Sequence, residues 1–251
     1  MTGTMGENPN DDITNCLDPT EPDNTAVVLL SGGLDSTTCL AIANEEHDRL
    51  YTVSFLYGQK HTEEVNRANL ISIVYGAEHR IIQLPDVFSG TDSVLIEDNE
   101  LDMPQMSYKE IDESFGVSPT YVPFRNANLL SMATALALTV NAGWVYAGMH
   151  GEDALNWAYP DCTPEFLGSM ASAIYVGSYH TVRLVTPLMH MTKADVVALG
   201  IKLDAPLELT MSCYEGTDPA CGTCPTCVGR IKAFIQNGRI DPIAYEIDVE
   251  W

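Results

Sequence analysis

The sequence predicts an α/β protein built on a doubly wound, mostly parallel sheet, with a zinc-binding appendage at the C-terminal end. Three observations predict it. β-type runs alternate with helical ones along most of the 251 residues. The segment AVVLLSGGLDSTTCL, Ala26 to Leu40, passes from an apolar strand through a glycine-rich turn directly into a helical pattern. Four cysteines close to the C-terminus, Cys213, Cys221, Cys224 and Cys227, follow the spacing C-x7-C-x2-C-x2-C.

The elements follow in order. The first strand ends at the turn Ser31-Gly32-Gly33-Leu34-Asp35-Ser36, and the first helix runs to Glu46. A second strand, Leu50 to Tyr57, stops at Gly58; a helix spans His61 to Val74 with Gly76 as its cap; a third strand, Arg80 to Leu84, is closed by Pro85. Periodicity then fails from Asp86 to Thr120, where Gly90, Pro104, Gly116 and Pro119 interrupt a polar stretch. A loop of that length is a mobile lid or substrate-side insertion, or else a surface elaboration. Asn126 to Met149 carries no charged residue and contains the break Asn141-Ala-Gly143, so it reads as a buried helix followed by a strand, Gly143 to Met149, and not as a membrane span. Leu184 to Leu188 is a fifth strand, and Thr192-Lys-Ala-Asp195 is a capping box opening a short helix that ends near Gly200. The organisation expected is a disordered acidic tail over 1–24, a nucleotide-binding α/β domain over 25–204 containing the insertion 86–120, and a zinc-binding region over 205–251.

Charge narrows the function. With 35 Asp plus Glu against 12 Lys plus Arg, the formal charge is −23. That field repels nucleic acid and anionic membranes and suits a high-salt, halophilic cytoplasm, with an ordinary acidic mesophilic protein as the alternative. The first 24 residues hold six acids and no Lys or Arg, which matches no secretory or transit signal, so a cytoplasmic protein is expected.

The turn after the first strand is a phosphate cradle: two glycines let backbone N–H groups approach an anion, the following helix presents its positive end, and Ser31 and Ser36 add hydroxyls. No lysine lies between Ala26 and Gln59, which separates it from the loop that grips β and γ phosphates with a lysine. Asp35, a carboxylate beside an anion site, is assigned to Mg²⁺ or to ordering the loop. The four cysteines give a closed tetrahedral set, so the metal is structural; zinc is expected, with an iron–sulfur cluster as the alternative. Three more segments sit at strand ends or helix starts: Tyr57-Gly58-Gln59-Lys60-His61, Tyr121 to Asn126, and Tyr159 to Phe166. Arg125 can clamp a phosphate or carboxylate, or form a surface ion pair. His61 can move protons or serve as a hydrogen-bonded structural group. Asp161 and Glu165 can accept paired N–H bonds from a purine-like edge, or cap a helix. Lys193, a cation at a helix start, is set against the dipole and is better explained by phosphates within its reach.

SGGLDS resembles the PP-loop of ATP pyrophosphatases. Together with YGQKH, YVPFRN, YPDCTPEF, TPLMHMTKAD and SCY…CGTCPTC, over about Val27 to Phe234, it is similar in order and spacing to the QueC family of 7-cyano-7-deazaguanine (preQ0) synthases. The resemblance implies an adenine nucleotide alpha hydrolase-like, Rossmann-like fold. It implies ATP held with Mg²⁺ by Leu30, Ser31, Gly32, Gly33, Leu34, Asp35, Ser36, Thr37, Thr38, Cys39 and Leu40, and one Zn²⁺ per chain on the four cysteines. From their own positions, Asp35, Arg125 and Lys193 are expected as catalytic groups, with Tyr57, Gln59, His61, Asp161 and Glu165 facing the substrate. The activity implied is an ATP-dependent ligase converting 7-carboxy-7-deazaguanine and ammonia to preQ0, for queuosine or archaeosine in tRNA, by a homodimer. An acyl adenylate, an amide and a second activation lead to the nitrile. No glutaminase segment is visible, so free ammonia is expected. The chain departs from the family over Gly148 to Tyr159, where a segment closer to GxxxxDYSGYPDC is usual, so His150 to Asn156 is where altered substrate choice would show. The rival readings are a PP-loop tRNA sulfurtransferase, which would need a basic RNA-binding face, and a non-catalytic nucleotide-binding or zinc-stapled adaptor.

Overall fold

Five strands, β1 (Asp23–Leu29), β2 (Arg49–Leu56), β3 (Glu78–Gln83), β4 (Ala142–Tyr146) and β5 (Arg183–Val185), form one sheet in the order β3-β2-β1-β4-β5. Each neighbouring pair is parallel. The computed structural model describes residues 23–60, 62–97, 102–105, 110, 118–152 and 157–251. Most of the expected tail, His61, much of the 86–120 insertion and residues 153–156 of the divergent segment lie outside the described residues.

Six helices join the strands among the described residues: α1 (Leu34–Glu46), α2 (Glu63–Val74), α3 (Arg125–Thr139), α4 (Pro164–Gly177), α5 (Lys193–Lys202) and α6 (Pro225–Gln236). Alternate residues of a strand face opposite sides, and both sides here are apolar. Ala26, Val28 and Leu30 of the first strand and its exit pack with α1, α2, α5 and α6, while Val27 packs with Leu130, Ala133 and Ala137 of α3 and Leu167 and Ile174 of α4. A strand buried on both faces reads as a continuous apolar run, which is why Ala26 to Leu30 is legible as one.

Element ends differ from the sequence expectations for local reasons. β1 starts at Asp23, inside the expected tail, because Asn24 is tied to the end of α1: its amide donates to Asp48 at 2.9 Å and its carbonyl meets His47 Nδ1 at 2.9 Å. β4 ends at Tyr146, short of Met149, because the chain must leave the ladder at Gly148, where an added Cβ would stand 3.0 Å from the Asp35 carbonyl. α5 does carry the capping box: Thr192 accepts from the Asp195 amide and Asp195 accepts from the Thr192 amide.

Part of 205–251 shares the main core, while the four cysteines form a cluster of their own with Ala220. Ala205, Leu207, Ala233 and Phe234 lie in the same cluster as Leu34 and Leu40. Arg230 of α6 is fully buried and forms a two-pronged ion pair with Asp241, Nε at 2.7 Å and Nη2 at 2.9 Å. Nη1 donates to Thr210 at 2.6 Å, Nη2 also donates to the Leu207 carbonyl at 3.2 Å, and the Tyr245 hydroxyl donates to Asp241 at 2.7 Å. Arg230→Leu is therefore expected to destabilise the fold by about 3–5 kcal/mol, because Asp241 is left charged and buried. Urea denaturation reads this as a lower midpoint, and an unchanged midpoint would show that the pair does not hold the C-terminal segment.

Candidate active site

The parallel order reverses between β1 and β4, and the crevice outside the carboxyl ends of strands at such a point is where α/β sheets bind ligands. A cavity of about 300 Å³ occupies it, lined by Leu29 of β1 and Leu30 just after it, Val53 to Phe55 from β2, and Ala147 to Met149 beyond β4. The β1–α1 turn forms its floor. Gly32 has φ +85° and sits so close to α2 that a Cβ there would stand 2.3 Å from the Glu64 carbonyl oxygen. Gly33 is the N-cap of α1, with no side-chain cap. The first amides of a helix have no intrahelical acceptor, so those of Leu34, Asp35 and Ser36 remain open to an anion. The turn is held by its own hydroxyls: Ser31 Oγ and Ser36 Oγ lie 3.0 Å apart, Ser31 Oγ accepts from the Gly33 amide at 3.2 Å, and Thr37 donates to the Gly33 carbonyl at 2.8 Å.

Asp35 faces Lys193, whose Nζ reaches both carboxylate oxygens at 2.7 and 2.5 Å, and His150 Nε2 lies 3.9 Å away. Burial would raise the Asp35 pKa, but Lys193 and then His150 outweigh it and hold the carboxyl below its ordinary range. Asp35 thus pairs with Lys193, whose side chain reaches from α5 to the cavity edge.

Arg125, the first residue of α3, lies on the facing wall. Its Nη1 donates to the Tyr57 hydroxyl at 3.0 Å and its guanidinium stacks 5.4 Å over that ring, while Nε is buried without an acceptor. Glu64, in the first turn of α2, lines the cavity too; burial pushes its carboxyl up to about 7, Arg125 opposing the rise and Cys213 adding to it. Ser212, Cys213 and Tyr214 complete the wall from the C-terminal region, fixed to the turn by the Met211 amide donating to the Gly32 carbonyl at 2.9 Å.

Beyond that wall, Cys213, Cys221, Cys224 and Cys227 are all buried and bring their sulfurs within 4.8 Å of one another. A tetrahedron with Zn–S bonds of about 2.3 Å has S–S edges of about 3.8 Å, and Cys221 and Cys227 stand 3.9 Å apart. Hydrogen bonds from the Cys224 and Cys227 thiols lower the Cys213 thiol below its usual range. The donor set fits a soft four-coordinate metal. The 86–120 insertion reaches this module: Met103 packs against it, and Gln105 accepts from Thr223 at 2.5 Å and donates to Glu215 at 2.8 Å.

Of the eleven turn and helix residues expected at the nucleotide, Leu30, Ser31, Gly33, Asp35 and Ser36 line the cavity. Leu34, Cys39 and Leu40 lie in the core, because a helix shows only one side to a ligand, and Thr37 and Thr38 are fully buried. Tyr57 and Gln59 line the cavity, although Gln59 spends its side chain on the Tyr57 amide and the Phe55 carbonyl. Asp161 and Glu165, expected as a base-reading pair, are not brought together. Asp161 is buried and accepts from the Asn126 amide at 3.0 Å, closing the start of α3, while Glu165 is exposed on α4, and neither lines the cavity. Glu64 and Ser212 are not among the residues the sequence singles out. An acid in a helix's first turn reads as an ordinary dipole partner, and the only signal for Ser212 is its place beside Cys213.

A family model described as Queuosine biosynthesis protein QueC matches residues 25–238. Curated proteins named 7-cyano-7-deazaguanine synthase are similar over most of their length. That of Thermoplasma acidophilum is 39% identical over 88% of this chain and 92% of its own. That of Caldicellulosiruptor saccharolyticus is 38% identical over 90% and 97%, and that of Marinobacter nauticus 38% identical over 88% and 97%.

Proposed function

The chain belongs to the QueC family, and we infer from that membership and from the lining of the cavity that it is an ATP-dependent ligase converting 7-carboxy-7-deazaguanine and ammonia to 7-cyano-7-deazaguanine. The observation that carries the chemistry is the β1–α1 turn, with open helix amides on the cavity floor and Lys193 on its edge. Such a turn suits a pyrophosphate that leaves. The substrate carboxylate attacks the α-phosphorus, the P–O bond to the β-phosphate breaks, and pyrophosphate departs into the turn. Ammonia then attacks the acyl carbon and expels AMP, leaving the amide. A second ATP activates the amide oxygen, and its departure as AMP, with loss of two protons, leaves the nitrile.

Arg125, opposite the turn, supplies positive charge for the acyl or phosphate oxygens. Water competes with ammonia for the adenylate, so the insertion docked on the cysteine module through Gln105 serves as the flank that excludes it. Mg²⁺ bound with the nucleotide would neutralise phosphate charge, and Asp35, engaged by Lys193, orders the loop. The cysteine set holds one structural Zn²⁺. A charge of −23 disfavours a tRNA substrate, and among the described residues no helix is long and apolar enough to cross a membrane. The reading includes a homodimer, for which Leu138, Val176 and Tyr179 offer exposed apolar surface.

Incubating the protein with ATP, ammonium chloride and 7-carboxy-7-deazaguanine tests the reading. AMP and pyrophosphate should accumulate at two of each per nitrile formed. ADP and phosphate without AMP would overturn the adenylate route.

A further inference from the structure

The buried carboxylate of Asp161 is used by no step of the reaction above, and its contact lies at the root of Arg125. Arg125 opens α3, a poor place for a cation, because the first turn of a helix carries the positive end of its dipole. The helix does nothing to relieve this itself. Its N-cap is Phe124, which has no side-chain acceptor and sits at φ 56°, a left-handed value disfavoured for an L-residue, and no acid follows in the first turn. Asp161 supplies both missing parts from another element, the short 3₁₀ turn Pro160–Cys162. Its Oδ2 accepts from the Asn126 amide at 3.0 Å, the bond that an N-cap side chain would make, and its charge stands where the dipole favours an anion. The Asn126 side chain returns the grip: Nδ2 donates to the Asp161 carbonyl at 3.3 Å and to Cys162 Sγ at 3.2 Å. Asp161 is not needed by the helix that follows it, since α4 is capped by Thr163, which accepts from the Phe166 amide at 3.2 Å.

We propose that Asp161 is a positioning residue for the ligase reaction: by capping α3 from outside, it fixes the backbone from which Arg125 reaches the acyl or phosphate oxygens. This rests on the ligase reading above. Two holds then act on one side chain. Tyr57 fixes the head, its hydroxyl accepting from Nη1 at 3.0 Å and its ring lying 5.4 Å from the guanidinium, while Asp161 fixes the root. Asp161 does not line the cavity, whereas Arg125, Asn126 and Cys162 do, so whatever it does to a substrate passes through the residues it holds. The β1–α1 turn and Lys193 belong to other elements, and nothing in the cap touches them. Losing the cap therefore displaces the charge that meets the reacting oxygens and leaves the phosphate cradle in place.

The test is a double-mutant cycle on the full chain, read as nitrile formed from ATP, ammonium chloride and 7-carboxy-7-deazaguanine. Asp161→Ala should lower kcat by about 100-fold, the cost of misplacing a group at the reacting centre by about 1 Å. Its KM for ATP should stay near the parent value. Asp161→Asn, which keeps an acceptor for the Asn126 amide, should recover part of the loss, and it carries the test should the alanine variant not fold. In an Arg125→Ala background, itself slow, either change at Asp161 should cost no further turnover, because the effect runs through Arg125. Hydrogen exchange without substrates should show the Asn126 amide exchanging faster in Asp161→Ala and near the parent rate in Asp161→Asn. Equal fractional losses in both backgrounds would overturn the assignment, because a general loosening slows the protein with or without Arg125. Full turnover in Asp161→Ala or in Arg125→Ala would overturn it as well. A parent protein that shows the expected exchange pattern and forms no nitrile would instead remove the ligase reading, and the positioning role with it.

Discussion

Lys193→Ala is expected to lower ATP-dependent turnover by about two to three orders of magnitude, the usual cost of removing one preorganised donor from a site of developing negative charge. The geometry says why the loss should be large. Lys193 Nζ holds both oxygens of Asp35 at the mouth of the β1–α1 turn, so the lysine is fixed before any nucleotide arrives. Its removal takes away a cation and also exposes the anionic Asp35 to the phosphates, a repulsion that His150, 3.9 Å away, offsets only in part. The fold should survive. Thr192 and Asp195 cap α5 without help from Lys193, and the side chain packs no core. Asp35→Asn separates the two effects, because it removes the repulsion and leaves the lysine. The double variant Lys193→Ala with Asp35→Asn should then recover part of the activity lost in Lys193→Ala. Initial rates of pyrophosphate release give the comparison. Full activity in Lys193→Ala, or a double variant no better than the single, would show that the pair does not serve the transferring phosphate.

How much of the site is legible in the sequence depends on whether a residue's role is local. The β1–α1 turn is a local object: strand, two glycines and helix start are contiguous, so the order of residues alone places it at the carboxyl edge of the sheet. The cysteine set is also nearly local, and its closure follows from spacing. The far wall is not. Glu64, Arg125 and Ser212 come from three separate elements and meet only because the sheet order places β2, β1 and β4 side by side. Asp161 shows the opposite failure. Beside Glu165 in the sequence it suggests a two-carboxylate fork, but four residues across a helix start turn one acid inward to the Asn126 amide and the other out to solvent. Thr38, Cys39 and Leu40 enter the expected nucleotide site through contiguity with the turn, where helical periodicity sends them into the core.

Cys224→Ser should strip the protein of its metal and lower its melting temperature by about 20 °C or more, with loss of turnover following from the loss of structure. The four sulfurs are buried and mutually within 4.8 Å, yet the segment that carries them has little apolar core of its own. Besides the cysteines, its cluster contains Ala220 as the one other buried member among the described residues, with Met103, Tyr214, Ile243 and Tyr245 at its edge. Metal binding worth about 10 kcal/mol or more is what can order such a segment. The consequence reaches the cavity because Ser212, Cys213 and Tyr214 form its wall. It also reaches α2, since Arg67 bonds Asp218 of the same segment at 2.5 Å, so the wall and the helix bearing Glu64 should loosen together. A structural role and a catalytic one then separate cleanly. For a closed four-thiolate site, activity should fall in step with the folded fraction and not below it, whereas a catalytic metal would abolish turnover in protein that is still folded. Metal analysis of the native protein should give one zinc per chain. Iron with acid-labile sulfide in its place, or native protein that is stable and active with no metal, would overturn the zinc assignment.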